Sequence, residues 1–287
     1  MHGLGNDYIY VNCFDQKIKN PAKLATLVSD RHFGVGADGL ILISRSRKAN
    51  VKMRIFNADG SEAEMCGNGI RCVAKYACEH NLAKVGSPFQ IDGKKALPAS
   101  LKIETKKGVL SVGLFINKNK RVETVCVNMG KPVVEAKRVG VNLPVEKVID
   151  QPMQFQSRAF SMTCVSMGNP HAVFFKPDLS IAELQKFGPI IENHSIFPNR
   201  INVHFVKIEK PDEFTMRTWE RGSGLTLACG TGACAACVAA VITNRAERQC
   251  TAHLPGGDLQ LNWSEKDDCV YMTGPAVEVF QGDWPDA

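Results

Sequence analysis

The sequence predicts an α+β protein of two pseudo-symmetric domains, each a β-barrel-like set of strands around a central helix, with an active site in the cleft between them. Three observations predict it. The chain repeats itself at one register, both copies alternate helical and strand periodicity in the same order, and the last helical stretch is small and apolar nearly all round.

The repeat is found by superimposing the two C-G-x-G segments at Cys66 and Cys229, which lie 163 residues apart. At that offset, without a gap, Gly5-Asn6 falls on Gly168-Asn169, Met53-Arg54 on Met216-Arg217, and Phe56 on Trp219. One C-G-x-G pair is a weak match, but a register shared over most of each half is strong. Each copy begins with a strand running into a G-N turn. Leu24, Leu27 and Val28, at helical spacing, fall on Phe187, Ile190 and Ile191. Leu40 and Leu42 alternate as in a strand and fall on Val203 and Phe205. A turn then leads to a helix opening at C-G-x-G, predicted in the second copy over Thr231 to Thr243, where GACAACVAAVIT suits a helix wrapped by sheet.

The predicted halves are 1–121 and 122–275, with a crossover from Arg121 through Pro132 and a terminal strand, Ala276 to Phe280, returning with the segment of about 276–287 to the first half. The second copy has a strand over 157–166 ahead of its G-N turn, whereas the first begins at Met1-His-Gly, so its opening strand is either cut short or starts upstream.

Composition narrows the function. The chain has 287 residues, 44% hydrophobic and 22% charged, and the net charge of +6 comes from scattered Lys and Arg. The densest run, Asn117-Lys-Asn-Lys-Arg121, reads as a turn between strands, so nucleic acid is not an expected partner. No apolar run reaches membrane-spanning length. Eleven cysteines, an odd number at irregular spacing and without a signal peptide, argue for free thiols and a cytoplasmic location. The expected partner is a small amino-acid substrate, and a homodimer is left open.

Cys66 and Cys229 each stand where a helix begins. There, unpaired N–H groups and the helix dipole favour a thiolate, and the same N–H groups suit a carboxylate. Two such elements suit inversion of a stereocentre: one thiolate removes an α-proton while the other thiol delivers a proton to the opposite face. The copies differ where Asn57 falls on Glu220 and Tyr8 on His171. Glu220 and His171 are therefore expected to set the proton inventory of the thiol pair.

At these residues the chain resembles the diaminopimelate epimerases over nearly its full length. The segments that carry the resemblance are Gly3-Leu-Gly-Asn-Asp7, FNADGSEAEMCGNGIRC at 56–72, MGNPHAVF at 167–174 and WERGSGLTLACGTGACA at 219–235. The resemblance implies interconversion of LL- and meso-diaminopimelate in lysine and peptidoglycan precursor synthesis, with no cofactor and no metal. It makes Cys66 and Cys229 the acid/base pair, with Gly67, Asn68, Gly230 and Thr231 holding the reacting carboxylate by their backbone. It makes Asn6, Asn57, Asn169, Asn202 and Arg221 the substrate-binding set, Arg221 gripping the distal carboxylate. Glu220 and His171 match supporting polar positions. Leu225 and Gly39 depart from the family pattern: many relatives have Glu at the first position, and some have a longer polar side chain at the second.

Plainer readings stand beside these. A lone Cys66 would be read as a buried structural cysteine, a G-N pair as an ordinary turn, and His171 as a satisfied scaffold histidine. Cys234 and Cys237, a C-x-x-C inside an apolar helix, are read as core packing, and Arg54 and Arg217 as structural. Two further functions remain open at this level: a two-cysteine racemase of another substrate such as proline, and a redox or soft-metal protein using the same two cysteines.

Overall fold

A computed structural model describes residues 1–91 and 95–285. The chain divides into two compact units. The first comprises Met1–Gln90, Ala96–Val127 and the segment from Gly274; the second comprises Asn128–Thr273 with the short Ile91–Lys95.

In the first unit, β1 (His2–Gly3) and β2 (Asn6–Asp7) form a small pair, followed by β3 (Ile9–Asn12), α1 (Pro21–Ser29), β4 (Gly39–Ser44), β5 (Val51–Asn57), β6 (Glu62–Ala63) and α2 (Gly67–Glu79). After β7 (Phe89–Ile91) and β8 (Lys95–Leu97) come β9 (Ala99–Thr105), β10 (Gly108–Ile116) and β11 (Val122–Asn128). The strand order is β11-β10-β9-β5-β4-β3, with β3·β4 and β5·β9 parallel.

The second unit runs α3 (Ala136–Val139), β12 (Gln151–Phe155), β13 (Arg158–Ser166), β14 (Pro170–Phe175), α4 (Ile181–Glu192), β15 (Asn202–Lys210), β16 (Glu213–Glu220) and β17 (Gly224–Thr226). It continues with α5 (Gly230–Ile242), β18 (Gln249–Leu254), β19 (Gly257–Trp263) and β20 (Val270–Pro275). Its order is β12-β13-β14-β15-β16-β18-β19-β20, with β14·β15 and β16·β18 parallel.

The repeat is thus present in the backbone. An offset of 163 residues carries the bounds of α2 onto those of α5 and places β4 on β15, β5 on β16 and β6 on β17. Local chemistry starts the helices as it should. Asn20 caps α1 by accepting from the Lys23 N–H, with Pro21 in the first turn, and Ser180 caps α4 by accepting from Glu183 N–H. Leu184, Phe187 and Ile191 of α4 pack with Phe160, Phe174 and Phe205 in one core, and Ala25 and Val28 of α1 pack with Leu40, Leu42 and Phe56 in another. The central helices are buried deepest. Within its own unit α2 meets β1, β2, β5, β9 and β10, and α5 meets β13, β14, β15, β18 and β19. Ten of the thirteen residues of α5 are buried, which is why its sequence has almost no polar face.

Three details differ from the sequence reading. The segment expected to cross over from Arg121 to Pro132 is mostly β11, which hydrogen-bonds to β10, so residues through Val127 go with the first unit. The basic run at 117–121 is the turn between these two strands. The terminal segment does join the first unit, but Ala276 to Phe280 is not a strand. It contributes one antiparallel bridge, His2↔Val277, and is pinned by the buried Arg71, whose Nε donates to the Pro275 carbonyl at 3.1 Å. Residues 286 and 287 lie outside the described part of the chain. Helix α5 starts one residue earlier and ends one earlier than expected, at Gly230 and Ile242, because Cys229 itself is the N-cap.

Gly39 is fixed by packing. A Cβ there would lie 2.2 Å from the Phe56 carbonyl oxygen and 2.8 Å from Cε1 of Tyr8, so this backbone cannot accept the longer side chain that some relatives carry. Gly39→Ala is expected to lower the free energy of unfolding by about 1–3 kcal/mol through overpacking, read from the urea midpoint at unchanged slope.

Candidate active site

Both cysteines are helix N-caps with extended backbone. Cys66 has φ −134° and ψ 118°, and Cys229 has φ −119° and ψ 101°. Gly67 and Asn68 open the first turn of α2, and Gly230 and Thr231 that of α5, so N–H groups that have no acceptor within the helix lie beside each cysteine. The glycine two residues further on matters for close packing: a Cβ on Gly232 would lie 2.3 Å from Cε1 of His204 and 3.0 Å from Cys229 Sγ. The G-N turns are also matched, since Gly5 and Gly168 both have positive φ, 83° and 98°, and place Asn6 and Asn169 beside their cysteines.

In the first unit Cys66 is half-buried. Its Sγ accepts from the Gly69 N–H at 3.3 Å and lies 3.5 Å from Asn6 Oδ1. Asn6 Nδ2 donates to Asp38 Oδ2 at 2.7 Å, and Asp38 and Asp7 both pair with Arg31. Burial and the nearby Asp7 raise the Asp38 carboxyl above its usual value. Asn57 ends β5, with Nδ2 on the Ser61 hydroxyl at 3.0 Å.

In the second unit Cys229 is buried, and its Sγ lies 3.7 Å from the Thr231 hydroxyl. Asn169 Nδ2 donates to that hydroxyl at 3.3 Å, and Asn169 Oδ1 is 3.0 Å from His171 Nε2. His171 Nδ1 is 2.9 Å from His204 Nε2, and His204 Nδ1 is 3.0 Å from the Thr218 hydroxyl. Burial lowers both imidazoles, His204 to about 3, and His171 is lowered further by His204 and by the positive field of Arg221, so both rings are neutral near pH 7.

Glu220 and Arg221 sit at the end of β16 and in the turn after it. That turn is held from three sides. Asn202 Oδ1 accepts from the Arg221 N–H at 2.9 Å, the Asn199 carbonyl accepts from Arg221 Nη1 at 2.9 Å, and Glu192 Oε1 accepts from the Gly222 N–H at 2.9 Å. Asn202 also donates Nδ2 to the Pro170 carbonyl at 2.8 Å, so its amide ties the start of β14 to the arginine turn. Glu192 binds Trp219 Nε1 at 2.8 Å and Arg200 at 3.1 Å as well.

Each expected residue therefore has a place. Within the first unit, Asn6 meets Cys66 and the first turn of α2. Within the second, Asn169, His171, Thr231 and Cys229 form one hydrogen-bonded cluster, and Asn202 holds Arg221. The sequence reading missed Asp38, Glu192, His204 and Thr218. His204 alone left a trace, as a polar residue between the apolar Val203 and Phe205. The other cysteines have structural settings: Cys237 and Cys250 are buried with sulfurs 3.4 Å apart, and burial raises Cys13, Cys72, Cys78, Cys164 and Cys269.

One donor set could in principle take a metal ion. The ligating atoms of His171, His204 and Cys229 lie within 4.8 Å of one another. The facing nitrogens of the two imidazoles are already hydrogen-bonded to each other, and their outer nitrogens to Asn169 and Thr218, so ligation would have to break that arrangement first. No helix is long and apolar enough to cross a membrane among the described residues.

Comparison with known proteins adds the family. The model of the family described as diaminopimelate epimerase matches residues 1–135 and 163–279. The diaminopimelate epimerase of Acetivibrio thermocellus is 47% identical over 283 residues, covering 99% of this chain and 96% of that protein. That of Moorella thermoacetica is 48% identical over 286 residues, covering 99% and 98%. Among solved structures, a Bacillus anthracis phenazine biosynthesis protein of the PhzF family superimposes with a TM-score of 0.65 at 15% identity, covering 96% of this chain and 92% of that one. A probable proline racemase from Agrobacterium radiobacter gives 0.62 at 15% identity, covering 96% and 88%. At such identities these two show a shared fold.

Two outcomes are expected. Glu192→Ala, which leaves the Trp219 N–H and Gly222 N–H without their carboxylate, should cost about 3 kcal/mol of stability, measured by denaturant unfolding. Because unfolding frees two histidines that are neutral when folded, the unfolded chain binds more protons below pH 6.5. Stability should therefore fall as pH drops, by up to about 1.4 kcal/mol per pH unit for each histidine, as followed by denaturation at a series of pH values.

Proposed function

The chain belongs to the diaminopimelate epimerase family, and from that premise we propose that it interconverts LL- and meso-diaminopimelate by proton transfer between cysteine sulfur and the α-carbon. Its metabolic place is lysine and peptidoglycan precursor synthesis. The observation that carries this reading is the pair of helix-capping cysteines at matching positions of the repeat, each beside a first helical turn whose N–H groups have no acceptor within the helix.

The chemistry follows from what those groups can do. An α-proton beside a carboxylate is weakly acidic, and its removal piles a second negative charge onto the carboxylate oxygens. N–H groups at a helix start, fixed before the reaction begins, stabilise that charge more than they stabilise the substrate. Gly67 and Asn68 supply such groups in α2, and Gly230 and Thr231 in α5. One cysteine takes the α-proton as thiolate while the S–H of the other gives a proton to the opposite face, so configuration inverts. The reverse reaction exchanges their roles.

Arg221 is the group suited to the distal carboxylate. Its backbone and Nη1 are tied down by Asn202 and Asn199, which leaves Nη2 and Nε as a preset fork for a carboxylate. A second charged end is what separates diaminopimelate from proline, and Arg221 supports the former. Asn57 and Glu220, equivalent in the repeat, end β5 and β16; Asn57 belongs to the substrate-binding set, and Glu220 with His171 sets the proton inventory of the thiol pair.

The test is incubation of each diaminopimelate stereoisomer with the reduced protein in heavy water, following deuterium entry at the α-carbon and isomer composition by chromatography. Exchange with epimerisation is expected, and exchange of neither isomer sinks the substrate assignment. Cys66→Ala and Cys229→Ala should each lower turnover by about 10²–10⁴-fold or more, the range for loss of a general acid or base. Full activity in either variant would end the two-cysteine mechanism.

A further inference from the structure

The second unit places two imidazoles and a thiol side by side, and the hydrogen bonds around the rings are those of oriented metal ligands. Among the described residues, His171, His204 and Cys229 are the one group of three or more His, Cys, Asp or Glu whose donor atoms all lie within 4.8 Å of one another, and all three are buried. His204 Nε2 and Cys229 Sγ border the same small space above the third residue of α5. A Cβ on Gly232 would lie 2.8 Å from the nitrogen and 3.0 Å from the sulfur, so glycine keeps that space open.

The dimensions suit a tetrahedral ion. Zn–N bonds of about 2.0–2.1 Å and a Zn–S bond of about 2.3 Å set two nitrogens about 3.3 Å apart and a sulfur about 3.6 Å from each. His171 Nδ1 and His204 Nε2 are 2.9 Å apart, and the group as a whole spans no more than 4.8 Å. The rings therefore need to part by about half an ångström and the sulfur to close by no more than about 1.2 Å.

The tautomers allow it too. Asn169 Oδ1 accepts only, so His171 carries its hydrogen on Nε2 and keeps a lone pair at Nδ1. His204 Nε2 donates to that lone pair, and His204 Nδ1 accepts from the Thr218 hydroxyl at 3.0 Å. A hydroxyl accepts as readily as it donates. When Thr218 turns, the His204 hydrogen sits on Nδ1 and Nε2 is bare, so both lone pairs face one ion. Ligation thus breaks the single bond between the rings and keeps the two outer ones. Those outer partners, an amide oxygen and a hydroxyl, fix ring orientation as the partners of metal-bound histidines do.

We infer that His171, His204 and Cys229 form a seat for one soft divalent ion of the zinc class. Cys229 binds as thiolate, its S–H proton leaving to solvent, and a water completes four-coordination. One thiolate with two imidazoles favours zinc, cadmium or cobalt over magnesium and calcium, which seek oxygen donors. The ion competes with the proposed reaction and takes no part in it, because a sulfur bound to metal cannot carry a proton to or from an α-carbon. That consequence rests on the two-cysteine reading above; the binding itself does not.

The experiment uses the full chain, dialysed against chelator, kept reduced by a phosphine and without substrate. Zinc, followed by competition with a chromophoric chelator, should bind at one ion per chain, and magnesium should not displace it. Cobalt should give a near-ultraviolet thiolate-to-metal band with the intense visible bands of a four-coordinate ion. X-ray absorption of the zinc form should show one sulfur and two imidazole nitrogens. These readings need no variant. Thr218→Val, which removes the acceptor for His204 Nδ1–H, should weaken zinc by about 10–100-fold at unchanged stoichiometry, and Cys229→Ser and His204→Gln by more than about 100-fold. Cys237→Ala, in the buried sulfur pair with Cys250, should bind as the parent does. A zinc ion without a sulfur ligand, a cobalt spectrum without the thiolate band, or an affinity that follows Cys237 and not Cys229 would each overturn the inference. Heavy-water exchange separates it from the functional reading: zinc should suppress exchange and chelator restore it. Zinc held by Cys229 with exchange undiminished would uphold the metal seat and count against the two-cysteine mechanism.

Discussion

A cysteine standing as the N-cap of a buried helix is the constraint on which the rest of the site depends. The position places a sulfur and a cluster of N–H groups that have no acceptor within the helix in the same small space, and both suit removal of a proton next to a carboxylate. It also dictates the neighbouring residues. Gly67 and Gly230 follow the cysteines directly, and the third residue of each helix is glycine because side chains of the surrounding sheet press against it, His204 in the second unit and Ile41 in the first.

Burying such helices has a cost that the sheet must meet. Their first-turn N–H groups have no acceptor within the helix, so fixed polar partners have to come from elsewhere in each unit. The second unit supplies them as a line of neutral groups, Thr218, His204, His171 and Asn169, every member satisfied by the next. A fully satisfied buried network of this kind is rigid, and a half-satisfied one would be worse than an apolar core. The first unit supplies its partners at the surface as the Asp7–Arg31–Asp38 cluster, which water can reach. The same fold therefore surrounds its two sulfurs with different dielectric settings.

The arginine turn illustrates a second division of labour. Arg221 is the conspicuous charge, but its direction is decided by uncharged or buried groups: the Asn202 amide, the Asn199 carbonyl and the carboxylate of Glu192 at the end of α4. Gly188 lets Trp219 lie close to α4, since a Cβ there would be 2.5 Å from the indole. The geometry of this turn is set by packing of a helix on a strand.

The sequence alone determined the doubled architecture, both helix-capping cysteines and most of the polar set. These are local properties: a helix start, a G-N turn and alternating apolar residues leave their mark within a few positions, and the mark appears twice at one offset. It did not reveal that 121–132 is largely a strand or that the terminal segment makes only a bridge, because strand pairing depends on a partner and not on the segment itself. Nor could it reveal the settings of Asp38, His204, Thr218 and Glu192, each of which has a partner 14 to 33 residues away that is brought near only by the sheet. The two helix-capping cysteines and the repeat that relates them were legible in their order along the chain. Which polar groups meet around each cysteine was decided by tertiary structure, because donor and acceptor become neighbours only once the strands have registered.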